Sequence, residues 1–177
     1  FDVPIDKVMH TQRRDAKTIN FSVLYGVSAY GLSSRSEMTR EEARKFIEKY
    51  YQTFPKIKVY MEKVLKEARQ KGFSENILGR RRYFPEINSS NFQVRSAAER
   101  AAFNMPLQSL AADIIKMAMI KADRELRDDE DIRMLLQVHD ELVFEVKRGE
   151  EKKYAGKIVE IMESVYNLKA HLVADAK

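Results

Sequence analysis

The sequence predicts an α+β fold: a helical first part, then a long kinked helix with antiparallel strands. Two observations carry the prediction. Apolar residues recur at helical spacing through most of the first half, and the second half joins one long helical run to two short, closely spaced apolar strands. The start, Phe1 to Asp6, is broken by Pro4 and reads as extended. A helix is expected from about Val8 to Val27, where Gly26 and then Gly31 interrupt the pattern. Thr39 is an N-cap with Glu42 three residues on, a capping box that opens a helix to about Thr53 with Phe46, Ile47, Tyr50 and Phe54 on its apolar side. Pro55 starts the next helix, in which Ile57, Tyr60, Met61, Val64, Leu65 and Ala68 repeat until Gly72 stops it.

From Phe73 to Ile87 short extended pieces flank Gly79 and end near Pro85, the pattern of a hairpin. Asn91 or Ser90 caps the long helix to about Leu126, and Pro106 inside it predicts a kink. An acidic turn, Asp128 to Asp131, leads to strands at Arg133–Val138 and Leu142–Val146. A helix over Glu150–Tyr166 and an extended run over Leu168–Ala176 complete the chain.

The formal net charge of +5 favours a polyanionic partner only mildly. With no cysteine in 177 residues, disulfides and thiolate metal sites are excluded, and a reducing cytoplasm is the expected compartment. No apolar run approaches the roughly 18 residues of a membrane span, so no membrane partner is expected.

Three constellations carry chemistry. Arg13, Lys17, Phe21 and Tyr25 stand four apart and therefore share one helix face. Arg and Lys offer charge-assisted bonds to a polyphosphate, and the two rings offer flat surfaces to a sugar and a base. The same spacing also suits an amphipathic helix with an aromatic core edge and snorkelling cations. Gln137-Val138-His139-Asp140-Glu141 joins two apolar strands through a turn lacking Gly and Asn. Two adjacent carboxylates there suit Mg²⁺ or Mn²⁺ in phosphoryl transfer; a solvated acidic turn is the other reading. Arg100, Asn104 and Gln108 are again four apart, able to reach minor-groove acceptors or to be the polar side of a helix packed by Phe103, Leu107, Ala111 and Ile115. Arg80, Arg81 and Arg82 are a solvated basic face or a backbone-phosphate contact.

The run RRDAKTINFSVLYG at Arg13–Gly26 closely resembles motif B of family A DNA polymerases, and QVHDE at Gln137–Glu141 resembles their motif C. Between them GRRRYFPEI and the R-x3-N-x3-Q spacing in ERAAFNMPLQSLAADIIK match the family pattern, so the resemblance covers essentially the whole chain. It implies that Arg13 and Lys17 bind the incoming dNTP triphosphate, with Lys17 also among the catalytic groups. Phe21 would pack on the sugar, a residue choice that goes with discrimination against dideoxy terminators. Tyr25, Gly26, Ser28 and Tyr30 would shape the base-pair pocket and the template-base site. Asp140 would be a catalytic metal ligand, supported by Glu141. Arg100, Asn104, Gln108, Gln137 and His139 would line primer–template DNA.

The implied reaction is template-directed nucleotidyl transfer from a dNTP to the primer 3′-hydroxyl, with two Mg²⁺ ions. Residues 1–88 would be the fingers, with the nucleotide-binding helix at about 8–27, and 89–177 the C-terminal part of the palm. The compartment would be the cytoplasm, with nucleoid association in a bacterium. There are departures. Ser109-Leu110 stands where Gly-Thr is commoner, and the G-x-N-W-like C-terminal end has no counterpart. The thumb and the motif A strand that carries the other metal-binding Asp are also missing, so the chain is expected to be a fragment, inactive until that N-terminal part is supplied. Two alternatives compete: a non-catalytic primer–template-binding module and a metal-dependent phosphodiesterase built on Asp140 and Glu141. The second lacks another carboxylate cluster and a water-activating base.

Overall fold

The computed structural model describes residues 3–36 and 38–177, the side chain of Asp15 excepted, and among these it contains six α-helices and two antiparallel two-stranded sheets. Phe1 and Asp2, the first part of the expected extended start, lie outside the described residues; Ile5–Lys7 forms a 3-10 turn. The chain divides into two compact units, Phe1–Pro106 and Leu107–Lys177.

In the first unit α1 (His10–Leu24) stops short of the expected Val27. Gly26 takes a left-handed backbone (φ 73°) and its N–H reaches the Val23 carbonyl while that of Val27 reaches Ser22, a Schellman closure that ends the helix. A short helix that the sequence did not announce, α2 (Ala29–Ser33), follows under a cap in which Ser28 Oγ accepts from the Gly31 amide at 3.1 Å. α3 (Arg40–Thr53) carries the expected capping box. Glu42 accepts from the Thr39 amide at 2.8 Å and the Glu42 amide donates to Thr39 Oγ1 at 3.3 Å. Val23, Leu32 and Ala43 are the buried centre of this part, enclosed by Ile19, Phe46 and Ile47.

α4 (Pro55–Lys71) starts on proline and ends where Gly72 turns left-handed, φ 77°. β1 (Phe73–Glu75) and β2 (Arg81–Tyr83) pair in the expected hairpin. Its turn is organised by the buried Asn76, whose Oδ1 accepts from the amides of Leu78 and Arg80 at 2.9 and 3.0 Å. The stretch after Pro85 is a 3-10 turn, Pro85–Asn88, because proline's fixed φ suits the first turn of a helix better than a ladder. α5 (Phe92–Leu126) is capped by Asn91, whose Oδ1 accepts from Gln93 and Val94. Its Ala98, Ala102 and Met105 pack on Ala68, Phe84 and Ile87. Pro106 lies inside α5 at the end of this unit.

The second unit holds the rest of α5, then β3 (Ile132–Val138), β4 (Glu141–Val146) and α6 (Glu151–Ser164). The ladder is interrupted by a bulge between Met134 and Leu136. Ala122, Leu126, Ile132, Tyr154 and Ile161 form the core, with Phe144 and Val146 against it. Leu168–Ala176, expected as extended, forms no strand; the Ala174 amide donates to Glu163 at 3.0 Å instead. Leu107 and Ala111, expected among the packed residues of α5, are exposed, whereas Phe103 and Ile115 are buried.

Buried Tyr154 donates to Asp129 Oδ2 at 2.7 Å, and this bond, followed by the Asp131 amide, holds the Asp129 carboxyl below the ordinary carboxylate range. A folded-state value below the unfolded one contributes stability that is present above the ordinary carboxylate pKa and lost as pH falls through the folded value. Tyr154→Phe removes the larger cause. It should therefore lower the urea midpoint at neutral pH and flatten its decline toward about pH 3. Urea titrations of parent and variant across that range check this; parallel curves would contradict it.

Candidate functional site

α1 presents Arg13, Lys17, Phe21 and Tyr25 to solvent on one side and buries Val23 at 1% exposure on another. The aromatic pair is therefore no core edge: Phe21 and Tyr25 are 44% and 39% exposed. Their rings stack with centroids 6.0 Å apart at 18°, and Lys17 Nζ lies 5.9 Å from the Phe21 ring. The face runs from two cations to two stacked rings along successive turns, an order that matches a polyphosphate joined to a nucleoside.

The Schellman closure places Tyr25 at the end of this face. A Cβ added at Gly26 would lie 3.7 Å from Arg100 Cγ, so Gly26 and Arg100 adjoin one another. Arg100 is held by its own helix, Nη1 donating to Ser96 Oγ at 2.7 Å. Gly31 is required by close approach, since a Cβ there would stand 2.9 Å from Val27 Cγ2. Tyr30 is 69% exposed on the same short helix that Ser28 caps. Asn104 keeps a buried Oδ1 with no hydrogen-bond partner, a free acceptor on the half-buried side of α5. Arg13, Lys17, Phe21, Tyr25, Gly26, Ser28, Tyr30, Arg100 and Asn104 all belong to the first unit.

In the second unit the turn between β3 and β4 is His139-Asp140. His139 has φ 55°, the only left-handed residue other than glycine among those described. Gln137 Nε2 donates to the His139 carbonyl at 2.6 Å and clamps the turn. Asp140 is exposed and makes no hydrogen bond or ion pair among the described residues. It borders an apolar cleft of about 320 Å³ lined by Leu110, Ile114, Met162, Leu168 and Leu172. Glu141 is taken up by Lys177, whose Nζ lies 3.2 Å from its Oε1. Gln108 is exposed, also in this unit.

Hard divalent cations want oxygen ligands. The unpaired Asp140 carboxylate fits as one such ligand, but among the described residues no group of three or more His, Cys, Asp or Glu side chains could hold a metal ion. Asp140 is thus one contributor to a set. Two supporting residues escaped the sequence reading. Ser96 steers Arg100, and its signal was the four-residue step back along the polar side of α5. Lys177 neutralises Glu141 over a sequence distance that leaves no local pattern. Among the described residues no helix is long and apolar enough to cross a membrane.

Comparison with known proteins gives a consistent set of relatives. The model of "DNA polymerase family A" matches residues 1–177. DNA polymerase I of Bacillus caldotenax is 46% identical over 176 residues, 99% of this chain and 20% of that protein. The thermostable DNA polymerase I of Thermus aquaticus is 49% identical over 168 residues, 95% of this chain and 20% of that protein. The solved POL domain of Pol1 from M. smegmatis, in complex with DNA primer-template and dNTP, superposes with a TM-score of 0.90 at 46% identity, covering 97% of this chain and 30% of that one. The chain spans about one fifth of the length of the curated relatives it matches.

The two left-handed residues give opposite substitution effects. Gly26→Ala should cost about 1 kcal/mol, because a side chain strains the Schellman turn although space for it exists. His139→Gly should be neutral to stabilising by up to about 1 kcal/mol. Thermal melts of the two variants test both signs; a stabilised Gly26→Ala would refute the account of the α1 terminus.

Proposed function

The chain belongs to DNA polymerase family A, and on that premise we propose that it supplies the dNTP-binding fingers (residues 1–88) and the C-terminal palm (89–177) of a template-directed DNA polymerase. The observation that carries the reading is the exposed cation-to-ring face of α1, which ends in the stacked Phe21–Tyr25 pair at the Gly26 turn. In this reading Arg13 and Lys17 hold the triphosphate by charge-assisted bonds, Lys17 also stabilising charge that develops on the leaving pyrophosphate. Phe21 packs on the sugar and favours deoxynucleotides over dideoxy terminators. Tyr25, Gly26, Ser28 and Tyr30 shape the pocket for the new base pair and the template base. Arg100, Asn104, Gln108, Gln137 and His139 hold primer–template DNA, the free Oδ1 of Asn104 being suited to a base-edge donor.

The reaction is attack of the primer 3′-hydroxyl oxygen on the α-phosphorus of the dNTP, forming a phosphodiester and expelling pyrophosphate. A pair of Mg²⁺ ions, for which Mn²⁺ can substitute, supplies charge neutralisation at the attacking and leaving oxygens when bound. Asp140 is the ligand this chain provides, left unpaired by its neighbours, while Glu141 supports the turn from its bond to Lys177. One carboxylate is too few for two ions, so we expect the chain alone to be inactive and to need a segment with the second Asp, the motif A strand.

The second reading is a primer–template-binding module without catalysis, with which a single unpaired carboxylate and no three-ligand group among the described residues are equally consistent. Primer extension separates the two. The chain should incorporate no dNTP on a primed template with Mg²⁺, and should do so when supplemented with a motif A segment; Asp140→Ala should abolish the recovered activity. Lys17→Ala should weaken dNTP binding by about 10- to 100-fold, the worth of a charged hydrogen bond. DNA binding with no activity under any complementation would establish the module instead, and activity of the chain alone would overturn the single-carboxylate account.

A further inference from the structure

The charge of the chain is concentrated in one stretch. Residues 40–82 contain 13 Lys and Arg against 6 Asp and Glu, a net +7 when the whole chain has +5, so the remainder carries −2. α4 lies in the middle of this stretch. Its inner side is occupied: Ala68 is buried in a core with Phe84 and Ala98, Leu65 packs against that core, and Ile57, Tyr60, Met61 and Val64 are half-buried. On the opposite side Lys56, Lys63, Lys66 and Gln70 follow at steps of seven, three and four residues, which places them on one stripe of the helix. All are exposed, and among the described residues no hydrogen bond or ion pair engages the three lysines. The nearby acids do not cancel the stripe. Glu67 is paired with Lys71 at 3.2 Å, Arg69 is paired with Glu99 at 2.6 Å, and only Glu62 stands unpaired beside Lys66.

We propose that this stripe of α4 is a second nucleic-acid contact, gripping the phosphates of duplex DNA distinct from the primer–template duplex. The inference rests on the polymerase reading above. Lys56 to Lys66 spans roughly 15 Å along the helix, enough to face several backbone phosphates. No aromatic side chain shares the stripe, Val59 being its apolar member at 65% exposure. Single strands are held by base stacking on rings as well as by charge, so a ring-free lysine row selects the double-stranded backbone. Lysines that contact only phosphates add affinity without sequence preference and make it steeply salt-dependent. On the polymerase reading, with the primer–template held by the residues named above, the other duplex available to this row is the one still to be opened beyond the bases being copied.

Two labelled probes test this with the full chain across a KCl series: a primer–template with a bare template overhang, and the same probe with a second oligonucleotide annealed over the overhang. The parent should bind the second probe more tightly, with a log–log salt slope steeper by up to about 3, close to one unit per neutralised phosphate. Lys56→Gln/Lys63→Gln/Lys66→Gln should erase that increment and leave the first probe unchanged. Lys→Arg at the same three positions should keep it. Equal binding of both probes by the parent, or an increment that survives the triple Gln substitution, would overturn the proposal and leave the stripe a solvated helix face. A different result defeats the polymerase reading itself: neither probe bound better than a blunt duplex. In that case a salt slope that still fell with the triple substitution would preserve the stripe as a duplex contact.

Discussion

Alanine at the buried positions of α5 is the constraint on which the packing of each unit depends. Ala98 and Ala102 in the first unit, and Ala118 and Ala122 in the second, are at most 8% exposed and offer one methyl each. A helix with such small side chains gains little from burial unless its neighbours come close, so it fills its core only with large partners. Phe84 and Ile87 serve in one unit, and Ile132, Tyr154 and Ile161 in the other. The arrangement also explains the long element itself, since Ala, Leu, Met, Arg and Lys are strong helix formers and hold it through Pro106. The Gly26 turn comes up against Arg100 on that same helix, so the terminus of the α1 face is defined against a packed element.

Much of this was legible in the residues. Capping at Thr39, proline at 55, glycine at 72 and asparagine at 91 each left a local mark with a mechanism, and the structure places those boundaries there. The α1 face could be read as a helix stripe, but spacing alone could not say whether its rings were buried; only the position of Val23 in the core decides it. Where the reading fell short the causes are physical. Five residues that include a glycine carry too little periodicity to announce α2. An alternating segment such as Leu168–Val173 becomes a strand only beside a ladder partner, and none among the described residues meets it. Glu141 and Lys177 are joined by tertiary placement, which no short pattern encodes.

The acidic turn departs furthest from local preference. A two-residue hairpin turn is ordinarily built from Asn-Gly or Asp-Gly, because such residues tolerate positive φ. His139 holds that conformation with a branched ring side chain, the Gln137 amide fastened across it. The outcome is an unpaired carboxylate presented by a left-handed, clamped turn. The lysine row of α4 involves no strain at all; it is an ordinary helix surface whose charge has been left uncompensated.

The bulged β3–β4 ladder has a practical side. Leu135, Leu136 and Val138 are 46–52% exposed on a sheet of only two strands, each with an unpaired outer edge among the described residues. Edges of that kind are templates for pairing with another chain, and the run from Ile132 to Val138 combines high strand preference with a single charge. The bulge after Met134 blunts part of one edge, but the run from Leu136 onward stays regular. At high concentration this hairpin is the place where the chain is expected to pair with a second copy, edge to edge.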